Sequence, residues 1–180
     1  AERIQSDRVP GTSGMIHGNG DLMATYGLED GRAMVRFEIR SAHDAQWLGE
    51  LVTNKLTRKV VVSPDSQVAA ILYLDPMISF QIWDLESRKL LKTIDLEKEI
   101  IHDVVFSPDS KRIATAGVRL DVPRERTVRL WHVADGRQRA TFPVRARRGH
   151  PLMAASPNGA TLSIVTDELG PVGALCDYSQ

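Results

Sequence analysis

One cysteine, Cys176, stands among 180 residues, so no disulfide can form within the chain and a cross-linked scaffold is excluded. That scarcity mildly favours a reducing compartment, and with it the cytoplasm. Net charge is missing as well. The 23 basic residues are matched by 23 acidic ones, and aromatics are scarce among the arginines, which speaks against a nucleic-acid partner. No stretch approaches the roughly 18 uninterrupted apolar residues of a membrane helix, so no membrane partner is expected. The charged start, 1–8, does not read as a signal segment, although a first residue Ala1 leaves open what preceded it. Low-complexity segments are absent too, and 42% hydrophobic with 26% charged residues describes a folding chain rather than a disordered one.

What the chain does contain is a repeat. Ser63-Pro64-Asp65-Ser66 recurs as Ser107-Pro108-Asp109-Ser110 and as Ser156-Pro157-Asn158-Gly159. Each copy is followed, after 20, 24 and 20 residues, by Trp83-Asp84, Trp131-His132 and Cys176-Asp177. One period earlier, Gly18-Asn19-Gly20 takes the place of the turn, and Phe37 lies 20 residues after His17. The anchors His17, Ser63, Ser107 and Ser156 are 46, 44 and 49 residues apart. A period of about 40 to 50 residues marks a propeller or a solenoid. Four units follow, over 12–54, 58–95, 100–143 and 150–180.

Within a unit the apolar runs are five to seven residues long and rich in β-branched residues, so they read as strands. The second unit supplies Lys59 to Val62, Val68 to Leu74, Ile78 to Trp83 and Leu90 to Ile94. The third supplies Ile101 to Phe106, Arg112 to Gly117, Thr127 to Val133 and Gln138 to Pro143. Four strands per unit and an all-β chain are therefore expected. The repeated phrase is the hairpin between the first two strands: Pro sets φ near −65°, Asp or Asn tolerates the bridge or left-handed region, and Ser or Gly closes the turn. Runs such as Val60-Val61-Val62 and Ala69-Ala70-Ile71-Leu72 are apolar at every position, which requires each sheet to be covered on both faces.

These residues resemble the WD-repeat β-propellers. Phe80-Gln81-Ile82-Trp83-Asp84-Leu85 and the run from Thr127 to Arg137 are similar to that family's third strand and following turn, and the Ser-Pro-Asp-Ser phrases to its first hairpin. The resemblance implies blades of four antiparallel strands, about four of them here, forming part of a larger propeller. It implies a non-catalytic scaffold for protein partners, with no cofactor or metal, completed by further blades of the same propeller or by self-association. Trp83 and Trp131 should then lie between blades. The family's Gly-His dipeptide occurs only as Gly149-His150, and its loop Asp is replaced by Gly31, Met77, Glu125 and Gly170. The hydrogen-bonded network that joins them to the Trp indole is thus expected to be incomplete, leaving cohesion to apolar packing.

An alternative is a propeller hydrolase or lactonase-like enzyme. Leu51-Val52-Thr53-Asn54 hints at a lactonase phrase but precedes the turn instead of following it. His102-Asp103 is the best-placed candidate dyad, and His43-Asp44 is the other. Neither has a second His or a Cys at ligand spacing. Cys176, in register with Trp83, reads as a packing residue.

Charge is unevenly spread. Residues 111–148 hold 11 basic residues against Asp121, Glu125 and Asp135. Alternate connections of an antiparallel meander emerge at one sheet end, so the loop with Arg119, Arg124 and Arg126 should share a face with the one carrying Arg145, Arg147 and Arg148. Six arginines there would suit an acidic or phosphorylated partner through bidentate contacts.

Overall fold

A computed structural model describes the backbone of residues 17–18, 22–29, 32–41, 47–53, 57–73, 78–122, 125–145, 152–165 and 176–177. Side chains are described for 57–73, 78–122, 125–144 and 152–164. All the regular structure among them is β. Sheet one consists of β1 (His17–Gly18), β2 (Leu22–Glu29), β3 (Arg32–Ser41) and β4 (Trp47–Thr53). Sheet two holds β5 (Thr57–Val62), β6 (Val68–Tyr73), β7 (Ser79–Asp84) and β8 (Leu90–Asp95). Sheet three holds β9 (Glu99–Phe106), β10 (Arg112–Arg119), β11 (Glu125–His132) and β12 (Gln138–Arg145). Sheet four has β13 (Leu152–Ala155), β14 (Thr161–Val165) and β15 (Cys176–Asp177). Every sheet is an antiparallel meander in chain order. The periodic positions Phe37, Trp83, Trp131 and Cys176 all fall on third strands.

The three hairpins are built alike, hydrogen bond for hydrogen bond. In the second sheet Ser66 N–H donates to Ser63 O at 2.9 Å and Ser63 N–H to Val68 O at 2.8 Å. The Ser63 hydroxyl accepts from Val68 N–H and donates to Asp65, whose carboxylate also takes Gln67 N–H. The same set recurs around Ser107 with Asp109, Lys111 and Arg112, and around Ser156 with Asn158, Ala160 and Thr161. The left-handed residue is the fourth of each phrase: Ser66, Ser110 and Gly159, with φ of 62°, 60° and 69°. The Asp or Asn keeps an ordinary backbone because its side chain is committed to holding the turn, an Asx-type device that competes well with other local conformations.

Alternation along the strands creates two apolar layers in each of sheets two and three. Ala69, Ile71 and Tyr73 pack with Val60, Val62 and Leu85 on one face of sheet two. From the opposite face Val68, Ala70, Leu72, Phe80 and Ile82 meet Ile101, Val104, Phe106, Ile113 and Trp131 of sheet three. The other side of sheet three sets Ala114, Ala116, Val128 and Leu130 against Met153, Leu162 and Ile164 of sheet four. Trp131 is buried, edge-on to Phe80 at 5.8 Å, and its indole N–H reaches Thr115 Oγ1 at 2.9 Å. One arm of the indole network is thus formed. Trp83, on the face away from sheet three, is only half-buried and donates instead to Gln81 of its own strand at 2.9 Å.

Candidate interaction face

Strand register decides which arginines meet. Arg119 closes β10 opposite Glu99, Arg126 on β11 is opposite Val118, and Arg145 closes β12 opposite Glu125. All three therefore lie at one end of sheet three, where the β10–β11 connection and the segment after β12 begin. The connection is shorter than the nine residues expected, since β10 continues to Arg119 and β11 starts at Glu125. Arg119 and Arg126 belong to strands, because continuing the ladder satisfies backbone groups that a loop would leave to water.

The side chains differ sharply. Arg126 is 6% exposed; it lies on the same face of β11 as Val128 and Leu130, which pack toward sheet four, so it is not available as an open anion clamp. Arg119 grips its own loop, with Nε and Nη2 on the two Asp121 oxygens at 2.9 and 2.8 Å and Nη1 on Glu125 at 3.3 Å. The Arg119 hydrogen bonds hold the Asp121 carboxyl below the usual carboxylate range, and the same bonds raise the guanidinium further. Arg124, Arg147 and Arg148, and the side chain of Arg145, lie outside the described residues. Two apolar side chains stand out in the same loop: Leu120 is 56% and Val122 36% exposed.

Beside this end lies a buried ion pair that the sequence reading passed over. Glu99, at the start of β9, is almost wholly buried and its Oε2 accepts from Arg129 Nε at 2.9 Å. Arg129 continues to Gln138 and Thr141. Gly117 makes room for Glu99, since a Cβ there would stand 2.5 Å from Glu99 Oε1 and 2.7 Å from Ile100 O. An acidic residue directly ahead of an apolar first strand was the available signal.

His102 and Asp103 are committed to different partners. His102 is the extra residue of a bulge, lying between Asp103, opposite Ala116, and Ile101, opposite Gly117. Its Nδ1 meets the Arg58 guanidinium at 3.2 Å. Asp103 is 2% exposed and fully engaged. Its Oδ1 accepts from Lys59 Nζ at 2.5 Å and Val104 N–H at 2.9 Å, and its Oδ2 from Met153 N–H at 2.7 Å. A single carboxylate thus ties the first strands of sheets two, three and four. Among the described residues no group of three or more His, Cys, Asp or Glu is placed to hold a metal ion. His43, Asp44 and the Cys176 side chain lie outside them.

No family model matches the chain, and no curated protein does. Among solved structures it is similar to Kuenenia stuttgartiensis hydrazine synthase, with a TM-score of 0.63 at 19% identity over 84% of this chain. The chain spans about half that structure, 48% of its length. At that identity the likeness concerns the fold alone.

Proposed function

We propose that the four sheets are consecutive blades of a WD-repeat-type β-propeller that serves as a non-catalytic scaffold for protein partners. The observation that carries this reading is that equivalent positions, one period apart, touch across successive sheets. Lys59 meets Asp103 and Arg58 meets His102, each 44 residues on, and the hairpins touch as well, with Asp65 N–H donating to the Ser110 hydroxyl at 3.0 Å. Contact between corresponding strands of successive units is what rotation about a shared axis produces. The sheets also come closest through their first strands, β1 against β5, β5 against β9 and β9 against β13. At the third strands the space is filled by the Trp131 and Phe80 rings. A gap that widens outward is a wedge, and wedges close into rings.

The use of Asp103 for two inter-sheet bonds, to Lys59 and to Met153 N–H, favours a structural role for the best catalytic candidate of the hydrolase alternative. For partner binding, the end of sheet three remains the favoured surface, carried by Arg124, Arg145, Arg147 and Arg148 now that Arg119 is paired and Arg126 buried. Acidic and phosphorylated peptide libraries, titrated at low and moderate salt, test it. Binding should fall steeply with salt and be lost in the R124E/R145E/R148E variant; unchanged binding in that variant would refute the assignment.

A further inference from the structure

The described part of the β10–β11 loop displays two apolar side chains on a backbone held by its own polar groups. Loops ordinarily turn polar side chains to water. Here the polar groups are occupied with one another: Arg119 is forked onto Asp121 and reaches Glu125, Leu120 N–H donates to Lys98 O at 2.8 Å, and Glu125 N–H to Val122 O at 3.2 Å. Leu120 and Val122 are left outside. The other exposed large apolar residues among those described, Leu90, Leu91 and Leu152, lie on strands at sheet margins. Those of this loop are held by bonds that survive without any partner. Side chains displayed on a fixed backbone lose less freedom on binding than mobile ones.

We propose that Leu120 and Val122 form a preformed apolar hook for an acidic peptide segment carrying a bulky apolar residue. The proposal rests on the interaction reading above and specifies its occupant. Charge argues for that occupant. Asp121 and Glu125 already offset Arg119, whereas Arg145, Arg147 and Arg148 stand in a stretch with no acidic residue between Asp135 and Asp167. Arg124 follows Val122 by two positions. The apolar contact would supply the anchor, and the arginines would choose carboxylates beside it and speed encounter.

Fluorescence anisotropy should use three peptide sets: acidic with Leu, Phe or Trp; the same with those residues replaced by Ser; and neutral apolar. The full chain is expected to bind the first set best. L120S/V122S should weaken that set about tenfold or more, to the level of the Ser-replaced set, while leaving salt dependence and melting temperature in place because both positions are exposed. R124E/R145E/R148E should instead lose binding of both acidic sets. Arg119→Ala should speed hydrogen exchange at the Leu120 amide and weaken the first set alone. Equal binding of the two acidic sets, or an unaffected L120S/V122S variant, overturns the hook while leaving an acidic-partner scaffold standing. Neutral apolar peptides binding as well as acidic ones overturns the occupant. No binding by any set overturns both readings.

Discussion

Asp103 does most for cohesion among single side chains, because one buried carboxylate receives a lysine from the sheet before it and a backbone N–H from the sheet after it. Removing one member of a buried pair strands the other, at about 3 to 5 kcal/mol. Lys59 keeps a quarter of its side chain in water, so Asp103→Ala should cost less, about 2 to 4 kcal/mol. Asp103→Asn should cost less again, since an amide oxygen can still accept from Met153. Urea titration of the three proteins measures this, and equal midpoints would deny Asp103 its role as a tie. Two turn carboxylates, Asp109 and Asp84, contribute to acid stability. Burial, the largest single influence on Asp109, pushes its carboxyl up, but the Ser107 hydroxyl, Lys111 N–H and the charges of Arg112 and Lys111 together hold it below the usual range. Asp84 is held low by the Ser87 hydroxyl and N–H. A folded-state value below the unfolded one, near ~3.9, means a contribution that is complete above about pH 4 and lost as pH falls through the depressed values. Urea midpoints should therefore drop below about pH 4. Asp109→Asn should lower the neutral-pH midpoint and flatten the acid limb; an acid limb as steep as the parent's would contradict the assignment.

Elements owe their stability to being covered on both faces. β6 is buried at all six positions, which a sheet with one wet face could not allow. The two tryptophans show how the layers differ. Trp131 fills the space between sheets two and three and has Thr115 for its N–H, so Trp131→Ala should cost about 3 to 5 kcal/mol. Half-exposed Trp83 should cost visibly less on the same substitution. Equal losses by chemical denaturation would mean that its environment is as closed as that of Trp131. Legibility also varied by element. Strand positions and the hairpins could be read from apolar runs and turn residues, because both are local properties. The site was less legible: Arg119 and Arg126 were placed in a loop because a run of charges breaks the apolar pattern, yet ladder pairing continued through them. Whether an arginine on a strand faces water or a neighbouring sheet depends on register, which composition does not record.

For the whole molecule, adjacency is the governing fact: each sheet is stabilised by the ones beside it, and a repeat array of this kind gains stability unit by unit. Sheet four breaks the pattern. Its Met153, Leu162 and Ile164 are covered by sheet three, whereas Leu152 and Ala154, alternating with them, are exposed. In sheets two and three the corresponding positions, Lys59 and Asp103, reach the next sheet. An uncovered sheet face of this type invites association. The chain should self-associate at micromolar concentration in sedimentation velocity, and Leu152→Glu should reduce it; a monomer throughout, or no effect of the substitution, would show that this face is content in water.

The sequence by itself determined the repeat, the strand-rich units and the three hairpins, because spacing, β-branched runs and Ser-Pro-Asp turns act over a few residues. It also implied two-faced burial through strands that never alternate to polar. Only the tertiary structure decided that Asp103 joins three sheets instead of assisting His102, since it brings Lys59, 44 positions away, and the Met153 amide to Asp103 and sets His102 against Arg58. It likewise decided that Arg119 is consumed by its own loop, that Arg126 is buried, and that Leu120 and Val122 stand outside. Each of those outcomes is set by which atoms a fold brings within a few ångströms, and the order of residues along the chain leaves that distance open.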